Sequence, residues 1–134
     1  MKRFEEIEHT ADLAMRAYGR DMKELFVNAA YGMFSLMADL EGLTPTVTRE
    51  VRLEAPDQEA LLVDWLNELL YLNEVEEEVY CSFEIHSLSP TEISATVGGD
   101  KAGEVTKVIK AATFHDLEIT RTEDGYIATI TFDV

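Results

Sequence analysis

Cysteine is almost missing from this sequence of 134 residues, since Cys81 is its single thiol. One cysteine cannot form a disulfide within the chain, and no cysteines and histidines have the spacing of a zinc site. We therefore expect a protein of a reducing compartment, the cytoplasm. Hydrophobic residues make up 46% of the chain, which is enough for a core without covalent cross-links.

Positive charge is also scarce. Eleven lysines and arginines stand against 27 aspartates and glutamates, which gives a formal net charge of −16. Such a surface repels phosphate backbones, so direct nucleic-acid binding is not expected. A cation or a basic protein surface is a better partner, although acidic residues also serve solubility alone.

Long apolar runs are missing as well. No segment approaches the roughly 20 apolar residues that a membrane span needs, and residues 1–6 lack the apolar stretch of a signal peptide. Repeats, low-complexity tracts and linkers rich in proline, glycine or serine are not found. Residues 1–134 are therefore predicted to form a single domain, and no membrane association is expected.

Two segments carry apolar residues at helical spacing. The first is predicted to begin at the N-cap Asp21 and to end at Gly42. The second follows Pro56 with Asp57 as its cap, and one stripe of large apolar side chains predicts its buried face. The stripe consists of Leu61, Leu62, Trp65, Leu66, Leu69 and Leu70. The polar side chains expected to face away from it are Asp64, Asn67 and Glu68.

Most of the remaining sequence alternates apolar and polar residues with the period of two that is typical of strands. Asp124-Gly125 is a strong turn signal for a final hairpin, and Gly98-Gly99-Asp100 is expected to be a loop. Together the elements predict an α+β fold, a two-layer sandwich in which a largely antiparallel sheet carries two main helices on one face. The predicted strand segments are 13–18, 50–54, 79–86, 92–97, 117–122 and 126–132.

No catalytic motif is present: the chain has no P-loop, no dinucleotide-binding fingerprint, no H-E-x-x-H and no nucleophile elbow. Three polar places remain, namely His9-Thr10-Ala11-Asp12 before a strand, Lys110 with His115 after it, and Asp133-Val134 at the end. Taken alone, each has a simple structural interpretation as a turn, a lysine on the wet face of a strand, and a solvated aspartate. Cys81 is expected to be packed and inert.

The carboxylates could form a cation site if the last strand lies beside the one that begins at Asp12. Two side-chain carboxylates and the chain-terminal carboxylate would then converge, which is unfavourable unless a cation or a proton lies between them. All three are hard oxygen donors, which favour calcium, magnesium or manganese over zinc. Spacing alone does not show that they converge.

Four segments, in this order, resemble the archease family: His9-Thr10-Ala11-Asp12, the helical segment 61–72, the segment 109–115 and the closing residues 132–134. The resemblance runs from Glu8 to Val134. It implies an α+β sandwich without catalytic residues of its own that assists the RtcB-type RNA ligase, an enzyme that joins tRNA halves with GTP and manganese. It further implies that the protein promotes ligase guanylylation and multiple turnover and broadens the use of NTPs.

The resemblance also implies the site residues. The metal site of the family maps onto Asp12, Asp133 and Val134, and the functional lysine maps onto Lys110, so that Asp12, Lys110 and Asp133 are expected to matter for ligase activation. His9 and His115 are candidates for supporting the metal ligands. Calcium is the expected ion, although manganese or magnesium also fits oxygen donors.

The sequence departs from the family pattern between residues 98 and 110, where it is short and has no histidine. Phe114 and Tyr126 stand where the family often has tyrosine and tryptophan. Two other functions stay open. A stand-alone metal-dependent phosphoester hydrolase could use the two carboxylates, the lysine and His9 or His115 to serve a metal-bound water. A general chaperone or adaptor would not need these residues at all.

Overall fold

The structure is a computed structural model that describes residues 2–7 and 12–134. Within these ranges the chain forms two helices and seven strands, an α+β arrangement as expected from the sequence. In chain order they are β1 (Phe4–Ile7), β2 (Leu13–Gly19), α1 (Met22–Met37), β3 (Val47–Glu54), α2 (Gln58–Glu76), β4 (Val79–Leu88), β5 (Glu92–Asp100), β6 (Ala111–Thr122) and β7 (Gly125–Asp133).

The strands form two antiparallel sheets. The first has four strands in the order β1-β2-β7-β6, and the second has three in the order β3-β5-β4. Helix α1 packs against β2 of the first sheet and β4 of the second, while α2 packs against β6 and β3. The helices therefore fill the space between the sheets and bury the apolar faces of both.

Both helices begin where the sequence predicts. The side chain of Asp21 accepts a hydrogen bond from the N–H of Glu24 at 2.8 Å, and that of Asp57 accepts one from the N–H of Ala60, also at 2.8 Å. Each aspartate thus binds one of the N–H groups that a helix leaves without a partner in its first turn.

The predicted end of α1 at Gly42 is wrong, because the helix ends at Met37. The carbonyl oxygen of Met37 accepts hydrogen bonds from the N–H groups of Thr106 at 2.8 Å and Lys107 at 3.2 Å. A distant loop therefore satisfies the last carbonyl of the helix, which no local pattern reveals. Gly42 instead lies in the following turn with a φ of 78°.

The apolar stripe of α2 is buried as predicted. Trp65 is fully enclosed and donates its indole N–H to the carbonyl oxygen of Phe26 at 3.0 Å, which ties α2 to α1. Each large side chain of the stripe contributes roughly 1.5–3 kcal/mol through its burial. Neither helix of the described chain has the length and apolarity that crossing a bilayer requires.

Strand β4 departs from simple alternation. The pattern predicts Tyr80 on the wet face, but its side chain is fully buried. A bulge between Tyr80 and Ser82 shifts the register, so that Tyr80 and Phe83 both turn toward Phe34. Their rings lie 5.6 Å and 6.2 Å from that of Phe34, measured between centroids.

The predicted loop at Gly98-Gly99-Asp100 is also wrong, because these residues end β5. A Cβ atom at Gly99 would lie 2.2 Å from the carbonyl oxygen of Val79 in the neighbouring strand. Glycine is therefore used here for close approach of two backbones within a sheet.

Candidate metal site at one end of the four-stranded sheet

The pairing of β2 with β7 brings the residue that precedes β2 next to the last residues of the sequence. Leu13 lies opposite Phe132, Asp12 directly precedes Leu13, and Asp133 directly follows Phe132. Because the strands are antiparallel, Asp12 and Asp133 lie side by side at the same end of the sheet.

Strand β6 adds Lys110 to the same end. Ala111 lies opposite Asp133, and the backbone N–H of Lys110 donates a hydrogen bond to the carbonyl oxygen of Asp133 at 2.8 Å. Three adjacent strands thus contribute Asp12, Lys110, Asp133 and Val134 to one place. We refer to these four residues as the tip.

The tip is accessible. Asp133 and Lys110 are exposed, Asp12 is half-buried, and 49% of Val134 is exposed. Carboxylate oxygens at such a place can reach a bound ion or a partner without a change in the fold. Lys110 adds a cationic group next to the acidic residues, which allows the tip to bind an anion such as phosphate as well.

Asn67 on α2 holds the beginning of β6. Its side-chain oxygen accepts the N–H of Ala112 at 2.8 Å, and its side-chain nitrogen donates to the carbonyl oxygen of Ala112 at 3.1 Å. Because β6 is an edge strand, this amide binds backbone groups that another strand would otherwise take. The contact fixes the residue two positions after Lys110 and thereby the place of Lys110 at the tip.

Asn67 lies outside the buried stripe of α2, as predicted, but its side chain binds the backbone of Ala112 instead of facing solvent. The apolar stripe of α2 leaves Asn67 on a flank, and sequence pattern alone assigns such a residue to solvent. One signal was present: asparagine is a poor helix former, so its place in the interior of a long helix indicates a role for the side chain.

The two histidine candidates differ in what the structure says of them. His9 lies outside the described residues. His115 lies on a bulge of β6 between Thr113 and Glu118, and its Nε2 is 3.2 Å from a carboxylate oxygen of Asp116. A role for either histidine beside the tip stays a prediction.

The acidic side chains of the tip are carboxylates, whose oxygens are the donors that hard divalent cations prefer. Among residues 2–7 and 12–134, no three histidine, cysteine, aspartate or glutamate side chains form a group that could hold a metal. The tip offers two side-chain carboxylates, those of Asp12 and Asp133. Such a donor set suits ions that complete their coordination with water or with phosphate oxygens of a second molecule.

A second acidic cluster, missed in the sequence, lies at the other sheet. Arg49 of β3 donates two hydrogen bonds to the buried carboxylate of Glu78, at 3.0 Å and 2.8 Å, and one to Glu76 at 2.9 Å. The hydroxyl of Tyr80 also donates to Glu78 at 2.8 Å. Arg49 lies 27 residues before Glu76 and 29 before Glu78 along the chain, so no local motif indicates the cluster.

The pKa shifts in this cluster show that its charges are paired within the fold. The hydrogen bonds from Arg49 hold the pKa of Glu78 below its usual range, against the opposing effect of burial. Burial, together with the bond to Glu78, raises the pKa of Tyr80. The acidic group therefore stays charged and paired, and the cluster fastens β4 to β3 and to the end of α2.

The fold and the tip define the class of protein: a small acidic α+β domain with an oxygen-rich site where its first and last long strands meet. The family profile described as the Archease protein family (MTH1598/TM1083) matches residues 4–134. Protein archease of Methanosarcina mazei is 40% identical over 141 positions, which cover 99% of this chain and 97% of that protein. Protein archease of Saccharolobus solfataricus is 38% identical, with both chains covered completely. The chain belongs to the archease family.

Solved structures agree with the fold. The solution structure of protein 1598 of Methanobacterium thermoautotrophicum has a TM-score of 0.82 and 32% identity, and the match covers 100% of both chains. A crystal structure from Thermotoga maritima, described as an archease and possible chaperone, has a TM-score of 0.68 over 96% of this chain and 94% of its own. Its identity is 24%, so it supports the fold alone.

Proposed function

We propose that this protein is a non-catalytic, cytoplasmic activator of the RtcB-type tRNA-splicing RNA ligase. It promotes guanylylation of the ligase and its multiple turnover, and it broadens the range of NTPs that the ligase accepts. Membership of the archease family supports this role, together with what the sequence resemblance implies about that family.

One observation carries the site of this activity: the register of the four-stranded sheet, which puts Asp12, Lys110 and Asp133 at the same end of three adjacent strands. Asp12, Asp133 and the carboxylate of Val134 would hold a divalent cation, calcium first, with manganese and magnesium as further candidates. The cation would supply positive charge that attracts phosphate oxygens. Lys110 would contact a phosphate or an acidic group of the ligase.

The charge of the whole chain favours the same partner. A net charge of −16 repels free RNA but attracts a ligase that is itself cationic enough to bind RNA. Complementary charge of this kind mainly raises the rate of association, and salt screens it. Stimulation of the ligase should therefore require more of this protein at higher ionic strength.

The test is a guanylylation assay with a purified cognate ligase. Asp12→Asn, Asp133→Asn and Lys110→Ala should each lower the maximal stimulation about tenfold, which corresponds to roughly 1.4 kcal/mol, because each removes one charged group from the tip. Asp124→Asn is the matched control, since Asp124 is exposed at the hairpin between β6 and β7, at the other end of the same two strands.

The possible results distinguish an error in the assigned site from an error in the proposed function. Full stimulation by all three tip variants would remove the site assignment, whereas no stimulation by the unmodified protein would remove the ligase as partner. Phosphoester turnover by the purified protein alone, abolished by a chelator, would favour the hydrolase instead. A variant extended by two residues beyond Val134 tests the third ligand, because it moves the terminal carboxylate away from the tip.

A further inference from the structure

A groove of about 770 Å³ lies between α2 and the segment 101–111. Asn67, Tyr71 and Glu74 line it from successive turns of α2. Lys110 and Ala111 line its other side, so the groove opens directly beside the tip. A molecule that covers the tip is therefore in position to fill the groove.

Exposed apolar side chains are concentrated at this groove. Tyr71 is 58% exposed, Val105 is 37% exposed and Val108 is 65% exposed, and all three line it. Val75, 54% exposed, follows Tyr71 by one turn of α2. Three of the six large apolar side chains that the described residues expose therefore line the groove, and Val75 lies close to it. Apolar surface gathered in one concave place is typical of an interaction site.

The groove also has a basic side, which is unusual for this chain. Three of the five lysines, Lys101, Lys107 and Lys110, lie in the segment 101–110, and two of them line the groove. The α2 side carries Glu74 and Glu77 instead. An occupant must therefore offer apolar side chains in its middle and acidic groups toward the lysines.

The walls of the groove are fixed by contacts within the fold. The side chain of Lys101 donates a hydrogen bond to the carbonyl oxygen of Glu76 at 3.1 Å, which joins the two sides of the groove. Gly103 packs so closely on Val79 that a Cβ atom there would lie 2.5 Å from the Val79 Cβ. A surface that is already formed loses little conformational freedom on binding.

We propose that this groove docks a segment of the RNA ligase in which apolar side chains are flanked by acidic residues. The inference rests on the proposed function and assigns ligase binding and ligase activation to two different places. The groove supplies affinity for the ligase, and the tip, once presented, supplies activation. Charge complementarity at the lysine side and continuity with the tip select this occupant.

The two roles have different kinetic signatures. Val108→Asp and Tyr71→Asp each place a charge on apolar surface and should raise the concentration of this protein that gives half-maximal guanylylation about tenfold, with an unchanged maximum. Tip variants should instead lower the maximum. Thr48→Asp is the matched control for Val108→Asp, because threonine and valine have the same shape and Thr48 is exposed on β3 of the other sheet.

The charge of the occupant is tested with Lys101→Glu. Reversing this charge should raise the half-saturating concentration about fivefold at low salt and less at high salt, because screening weakens the lost attraction. Sedimentation of the free protein and of Val108→Asp tests the competing occupant, a second copy of this chain, and should show the same species for both.

Each result has one meaning. An unchanged half-saturating concentration in both groove variants would overturn the docking inference and leave the activator role intact. A self-associated form that Val108→Asp abolishes would assign the groove to a second copy and would also overturn the inference. If the unmodified protein fails to stimulate the ligase, the activator role falls, and the docking of a ligase segment falls with it.

Discussion

The cluster around Glu78 and the tip both hold acidic groups, and the fold places them in opposite surroundings. Glu78 is fully buried, and its carboxylate is bound by Arg49 and Tyr80. Asp133 and Lys110 stand exposed at the tip, beside the half-buried Asp12. A buried carboxylate is tolerated only when its hydrogen bonds are complete. The first cluster therefore has a structural role. The second offers its charges outward, where a ligand or a partner can use them.

The largest effect that would test this contrast is expected at Arg49. Arg49→Met leaves the charge of Glu78 buried without its main partner, and the free energy of unfolding should fall by more than for any other substitution proposed here. Urea titration followed by circular dichroism measures the change. Arg52→Met is the control on the same strand, because Arg52 is exposed, and it should cost less than about 0.5 kcal/mol. Equal losses for the two variants would contradict the contrast.

Metal binding should give the next largest effect, and only at the tip. With calcium or manganese at about 100 times its dissociation constant, the free energy of unfolding should rise by about 2.7 kcal/mol. Asp133→Asn should abolish this rise in thermal unfolding experiments and leave the stability without metal within about 0.5 kcal/mol of the original. A rise that survives in Asp133→Asn would show that the ion binds elsewhere.

Asn67 lies between these extremes, because it stabilises the fold and places the tip. Asn67→Ala removes both hydrogen bonds to Ala112 and should lower the free energy of unfolding by about 1–2 kcal/mol. It should also weaken ligase stimulation, because the start of β6 is no longer held. Asp64→Ala, at an exposed position of the same helix, should change neither quantity. Full stimulation by the folded Asn67 variant would show that the contact with Ala112 stabilises the fold but is not needed for the activity of the tip.

The smallest expected effect is a pH dependence of the free energy of unfolding that arises from Glu78. The bonds from Arg49 lower the pKa of Glu78 in the folded protein, so the unfolded chain binds more protons at acidic pH. The stability that this pair contributes is therefore present above the unfolded pKa, near 4.5, and is lost as the pH falls below it. Denaturant titrations from pH 7 to pH 3 should show a steeper loss for the original protein than for Glu78→Gln. Parallel curves would contradict the assignment.

Local chemistry explains what the sequence could predict of the fold. The caps Asp21 and Asp57, the apolar stripe of α2 and the final hairpin depend on neighbours within a few residues, and the structure contains all of them. The end of α1 at Met37 and the inward turn of Tyr80 depend on a distant loop and on a bulge. Periodicity contains no information about either.

The candidate site divides in the same way. The residue types at Asp12, Asp133 and Val134 indicated oxygen ligands, but whether these residues lie together depends on the register of β2 and β7, which are far apart in the sequence. Resemblance to a family supplied that placement, whereas spacing did not. The contact between Asn67 and Ala112 and the groove beside Lys110 form only when α2 packs against β6. Tertiary packing alone therefore reveals them.

The bond between Asn67 and Ala112 has a further consequence for the behaviour of the protein in solution. An open strand edge is a template on which a foreign chain can add itself, and this is a common beginning of aggregation. With both backbone groups of Ala112 taken by a side-chain amide, an incoming strand finds no regular ladder at the start of β6. The edge nearest the tip is thereby reserved for side-chain recognition and protected from accidental growth of the sheet.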